Sequence, residues 1–182
     1  MTGRLVPMRC ATFALLGLSA VVLGTGACSR GSRPPDARPG RLVIERVGRV
    51  RQRLMDASAS ATYCRADSLL VIVALDRGWG AGLAVQTPFP APAERAVRVL
   101  PALGDSGTAI LAVRAVGDSV QAALVAASGT VTLSTGAVAT GSFLVTLPPR
   151  DSGRIRERLV GAFRSLPTAD TAAACGATAR TP

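Results

Sequence analysis

The chain has 182 residues and a formal net charge of +10, and it contains no Lys, His or Asn. That length suits one domain, and the missing His and Lys remove the side chains most often used as general bases near neutral pH. The abundant Arg, Ala, Gly and Pro follow G/C-rich codons, and six aromatic residues are too few to interleave with the arginines as stacking platforms, so the charge does not point to nucleic acid.

Met1 to Arg9 carries two arginines and no acid, and Ala11 to Leu23 is an apolar run diluted only by Thr12, Gly17 and Ser19. The run is too short to span a hydrocarbon core of ~30 Å as a helix and has the length of a signal-peptide apolar region. Gly24-Thr25-Gly26-Ala27-Cys28 follows. This stretch resembles the lipobox of bacterial lipoproteins, in which small residues precede a cysteine that is acylated and becomes the mature N-terminus. Gly26 and Ala27 fit the pattern, whereas Thr25 stands where Leu is usual. The resemblance implies a signal peptide over 1–27, lipidation at Cys28, and export to a membrane surface. Ser29, in place of an Asp after the cysteine, implies the outer membrane. The competing reading is ordinary signal cleavage after Ala27. Residues 28–40 include SRGSRPPDARPG, whose prolines, glycines and arginines predict an extended, solvated spacer.

The predicted β domain covers 41–176, and 177–182 reads as a disordered tail. Arg41–Val47 and the segment from Val50 toward Cys64 predict an opening hairpin about Gly48-Arg49. Ser68–Leu75 is a near-continuous apolar run, expected to be a strand buried on both sides. Gly78-Trp79-Gly80-Ala81-Gly82 reads as a tight connection, followed by short strands at Gly82–Gln86 and Arg95–Leu100. Thr108–Val116, Thr130–Thr135 and Ser142–Leu147 alternate with period two, the last turning Phe143, Val145 and Leu147 inward. The breaks Asp76-Arg77-Gly78, Gly104-Asp105-Ser106-Gly107, Gly117-Asp118-Ser119, Ser128-Gly129, Thr135-Gly136 and Asp151-Ser152-Gly153 have the spacing of a sandwich or barrel. Ser119–Ala127 is open between a strand and a short helix capped by Asp118. Ile155–Leu166 reads as a final strand, and its Gly161-Ala162-Phe163 echoes Gly141-Ser142-Phe143. The expectation is an all-β fold, an antiparallel sandwich or calycin-like barrel of about eight strands. Gly129–Leu133 with Thr140–Phe143 resembles strand pairs of small β-rich envelope lipoproteins without assigned activity, which implies the architecture and no chemistry.

Cys10 lies within the signal segment and Cys28 takes the lipid, which leaves Cys64 and Cys175 as an even pair. In an oxidising compartment these predict a disulfide, and two thiols without His do not complete a zinc site. The charge excess sits in the flanks, before Cys64 and after Pro149, and suits a membrane or an anionic polymer.

Gly104-Asp105-Ser106-Gly107 resembles the nucleophile segment of trypsin-like proteases, but this chain has no histidine to take the serine proton. Gly117-Asp118-Ser119 repeats the tripeptide as a turn. Carboxylate pairs for hydrolysis find little footing, since most acids sit in turns or beside arginines, as in Asp76-Arg77, Glu94-Arg95 and Glu157-Arg158. Gly78–Gly82 has glycines but neither the lysine nor the helix of a phosphate loop. Thus no catalytic residue, metal or cofactor is assigned. The expected role is a lipid-anchored, non-enzymatic envelope module that binds or builds. The alternatives are a carrier of a small apolar ligand inside a barrel and, last, a carboxylate hydrolase.

Overall fold

The structure is a computed structural model that describes residues 33–76, 78–104, 107–115, 123–149 and 157–175. Its strands are β1 (Arg41–Val47), β2 (Arg51–Cys64), β3 (Leu69–Leu75), β4 (Trp79–Gln86), β5 (Ala91–Val99), β6 (Thr108–Ala115), β7 (Leu124–Val125), β8 (Ser128–Thr135), β9 (Val138–Thr146) and β10 (Arg158–Thr171). They form one sheet in the order β4-β3-β2-β1-β10-β9-β8-β5-β6-β7, and β4 also pairs with β6. That pairing closes the ladder on itself, and among the described residues the opening left is where β5 pairs with β6 only at Arg98 and Val99.

The expected all-β fold is therefore present, with ten strands rather than about eight. Two junctions are parallel, β2 with β10 and β5 with β6, where an antiparallel barrel was expected. The first has a direct cause. β2 and β10 are each 14 residues long and flank β1, which has only 7. Beyond Arg41, where β1 begins, the two long strands meet, and Thr168–Thr171 pairs with Ala61–Cys64. A bulge between Phe163 and Leu166 sits at this handover, with Ser165 in the left-handed region at φ 49°. The Ser165 N–H donates to Thr140 Oγ1 at 3.0 Å, so the bulge is held from β9.

Ile155–Leu166 was expected to be strand, and β10 takes that role from Arg158 onward. Of Ser119–Ala127, residues 124–125 pair with β6, so the helical alternative fails there, and 119–122 lie outside the described residues. Arg65–Asp67 forms a 3₁₀ turn. Of Gly78–Gly82, expected as a connection, Trp79–Gly82 is strand and Gly78 belongs to the turn, which Asp76 and Trp79 close by exchanging backbone hydrogen bonds.

Period-two alternation builds the interior. Leu42, Ile44, Ile72, Leu83, Leu111, Val131, Leu133, Phe143, Val145, Leu159 and Phe163 belong to one apolar cluster. The two echoed tripeptides face each other in register, with Phe143 opposite Gly161 and Phe163 opposite Gly141. Each ring thus lies against a strand position that has no side chain. β3 departs from expectation. Its inward residues are buried, and on the outer face Leu69 is buried too, but Val73 and Leu75 are 42% and 70% exposed, so the end of the strand is buried on one side only. An apolar run records what a segment contains, not whether a second layer covers it.

Of the expected spacer 28–40, residues 33–40 are described; Arg33, Pro34, Asp36, Arg38 and Pro39 are exposed, while the segment is fastened to the barrel at both ends. Gly40, at φ 74°, forms a turn in which the Arg41 N–H donates to the Arg38 carbonyl at 3.2 Å. The chain preceding it runs back along the wall, and Arg51 Nη2 donates to the Arg33 carbonyl at 2.9 Å, near the opposite end of β1. Pro35 is buried, as are the outward-facing Val43 and Val160 of β1 and β10. Proline needs no N–H partner, so such a segment can cover apolar wall residues without joining the ladder.

Candidate functional site

The register gives the barrel two distinct ends. One, the hairpin end, carries the β1–β2 loop (48–50), the β3–β4 turn and the start of β10. The far end carries the β2–β3 and β4–β5 connections, the β8–β9 turn and the end of β10.

At the far end, Cys64 and Cys175 are joined as expected, with Cα atoms 5.8 Å apart and a sequence separation of 111. Closing so long a loop stabilises the fold by up to about 4–5 kcal/mol in the chain-entropy account. Beside the bridge, Arg65 Nε donates to both Asp170 carboxylate oxygens at 2.9 and 3.0 Å. That hydrogen bonding holds the Asp170 carboxyl below its ordinary range and raises the Arg65 guanidinium. Tyr63 stacks on Phe89 with ring centroids 4.4 Å apart, and its hydroxyl donates to the Thr87 carbonyl at 3.4 Å. Buried Thr135 accepts the Ala91 N–H at 3.0 Å. These contacts fix the connection 87–91.

A cleft of about 590 Å³ opens next to this connection, lined by Ser68, Gln86, Thr87, Pro88, Arg95, Ala96, Val97 and Gly107. It lies where β5 parts from β6, since only Arg98 and Val99 pair with Thr108 and Ala109. Gln86 Nε2 donates to the Asp67 carbonyl at 2.9 Å, which fixes one wall. The lining offers hydroxyl, amide and guanidinium groups, so it can receive a polar or anionic group. Gly107 is the described part of the protease-like tetrapeptide that reaches it; Asp105 and Ser106 lie outside the described residues.

The wall around the hairpin end holds the densest charge. Glu45 is only 7% exposed. It accepts from Arg51 and from Arg53, the latter at 3.1 Å. Burial pushes the Glu45 carboxyl up, but the hydrogen bonds from Arg51 and Arg53 outweigh it and hold the group below its ordinary value. Arg46 pairs with Glu157 at this end, and at the other end of β1 Arg41 pairs with Asp56 at 2.6 Å. Glu157 therefore finds its partner on the adjacent strand β1 rather than in its sequence neighbour Arg158. Buried Glu45 was not singled out from the sequence, although its place between Ile44 and Arg46 in a strand gave it the outward parity. Trp79 sits at the mouth of the hairpin end, partly buried against the core. Cys28 lies outside the described residues.

Compared with protein-family models, with curated proteins and with solved structures, the chain gives no match in any of the three.

Proposed function

We infer that the chain is an exported, lipid-anchored, non-enzymatic module of the cell envelope, tethered through Cys28 and binding or building with its far end. The observation that carries this reading is the Cys64–Cys175 bridge in a chain whose first apolar run ends in Gly-Ala-Cys. A disulfide of that reach belongs to an oxidising compartment, and the lipobox-like stretch supplies both the route there and the foot. The filled interior supports a structural or binding role over a carrier of apolar ligand, because Phe143 and Phe163 occupy the space beside Gly161 and Gly141. The partner is an envelope protein or an anionic polymer, for which the cleft beside Arg95 offers polar lining. Radiolabelled palmitate fed to expressing cells is expected to enter the protein and to be lost in Cys28→Ala. Equal labelling of the two, or none in either, overturns the anchor.

A further inference from the structure

We propose that the hairpin end of the barrel rests on an anionic lipid surface, with Val50 and Leu75 at the apolar boundary and Arg49 and Arg114 on the headgroups. This rests on the reading of Cys28 as the lipidated residue and adds to it an orientation and a second contact.

Three observations converge. First, the chain before β1 folds back along the wall, and Arg33 is fastened to Arg51 at the hairpin end. The five peptide units between Cys28 and Arg33 reach at most about 18 Å. An acyl chain on Cys28 therefore enters the bilayer close to this end, not at the tip of a long stalk. Second, two of the most exposed large apolar side chains stand here, Val50 at 77% and Leu75 at 70%. Val50 is on the β1–β2 loop, and Leu75 closes β3 beside the β3–β4 turn. Third, the arginines here have room for lipid. Arg49 flanks Val50, and Arg114 lies across Gly80 from Leu75 on the same outer face. Both are exposed, and neither forms an ion pair with a described residue. Exposed apolar tips ringed by cations are the composition of an interfacial contact, in which buried apolar area and attraction to anionic headgroups add. At the far end, by contrast, Arg65 is taken up by Asp170 and Arg95 lines the cleft.

The chain's single Trp, Trp79, stands at the mouth of this end and serves as a built-in probe. The full chain is processed in a lipoprotein-competent host, its acylation read by intact mass, and the product reconstituted into vesicles carrying a headgroup quencher. The vesicles are of phosphatidylcholine alone or mixed with phosphatidylglycerol. Trp79 quenching is expected to be stronger with phosphatidylglycerol and to fall in high salt. In Arg49→Glu/Arg114→Glu it should drop to the level of phosphatidylcholine alone, with Val50→Asp lowering it further. Unchanged far-ultraviolet circular dichroism shows that the variants are folded. Acylated protein whose quenching ignores lipid charge and these substitutions overturns the proposal and leaves the anchor standing. Protein recovered without an acyl chain overturns the anchor, and this orientation with it.

Discussion

The facing tripeptides of β9 and β10 make a demanding test of how the interior is filled. A Cβ added at Gly161 comes within 2.5 Å of Phe143 Cε1 and 2.8 Å of Cε2, and closer still to Cζ. Carbon atoms in favourable contact stand about 3.5–4.0 Å apart, so the ring must retreat by roughly 1 Å. Phe143 is only 2% exposed within the packed cluster, which leaves it little room to retreat. Gly161→Ala lowers the entropy of the unfolded chain, worth about 0.5–1 kcal/mol of stability. Overpacking costs about 1–3 kcal/mol and wins. The expected net loss is about 1–2 kcal/mol, read as a lower urea midpoint at unchanged slope by Trp79 fluorescence. Phe143→Leu shortens the offending group, so Gly161→Ala on that background should cost about 1 kcal/mol less than on the wild type. Gly141 supplies the control. There an added Cβ meets the Thr132 backbone carbonyl as well as Phe163 Cζ at 2.6 Å. Backbone does not yield, so Phe163→Leu should rescue Gly141→Ala far less. Neutral Gly161→Ala, or strict additivity with Phe143→Leu, would refute the argument and indicate spare volume inside the barrel.

Other expectations follow from single contacts. Replacing both Cys64 and Cys175 by Ala should cost up to about 4–5 kcal/mol, and reducing the wild type should reproduce most of that loss in a urea titration. Glu45 has its folded pKa below the ordinary value, so its contribution is complete above the unfolded carboxylate pKa and fades as pH falls through the folded one. Glu45→Gln should therefore cost about 1–3 kcal/mol at pH 7, and melting curves at successively lower pH should bring it level with the wild type; a gap that widens on acidification would contradict the sign. Ser165 pays the left-handed penalty of about 1 kcal/mol, so Ser165→Gly is expected to hold or slightly raise the melting temperature, whereas Ser165→Val should lower it.

Strand identity was legible where alternation was clean. The predicted Ser142–Leu147 lies in β9 as far as Thr146, with Phe143, Val145 and, just beyond it, Leu147 buried as expected. The opening hairpin was legible too, because Gly48 interrupts two runs of opposite parity. Ser128-Gly129 was read as a break, yet both residues lie in β8. Gly129 is there because a Cβ would strike the Leu144 carbonyl and the Val145 Cα of β9. A glycine required by a neighbouring strand is indistinguishable, in one sequence, from a glycine required by a turn. The order of strands lay further out of reach. The β4–β6 closure and the meeting of β2 with β10 depend on stagger accumulated around the whole ring, and no local pattern encodes that sum. Glu45 escaped for a related reason. Its partners Arg51 and Arg53 come from the far arm of the hairpin, which no pattern local to Glu45 announces.

The way the chain's two ends are fastened bears on how such a barrel would carry the proposed tether. The segment leading to β1 is held at the hairpin end by Arg51 and at the other end of β1 by the Gly40 turn. The C-terminal segment is held at the far end by the Cys64–Cys175 bridge. A pull on the N-terminal side therefore loads the Arg33 contact first, then peels 33–40 from the wall, and reaches β1 only after the turn opens. β1 itself is laddered along its whole length on both edges, to β2 and to β10. The cleft is walled by the β2–β3 and β4–β5 connections and by β5, none of which lies on that line of force. Motion of the segment before β1 can thus be absorbed without disturbing the far end, as the tethered module proposed above would require.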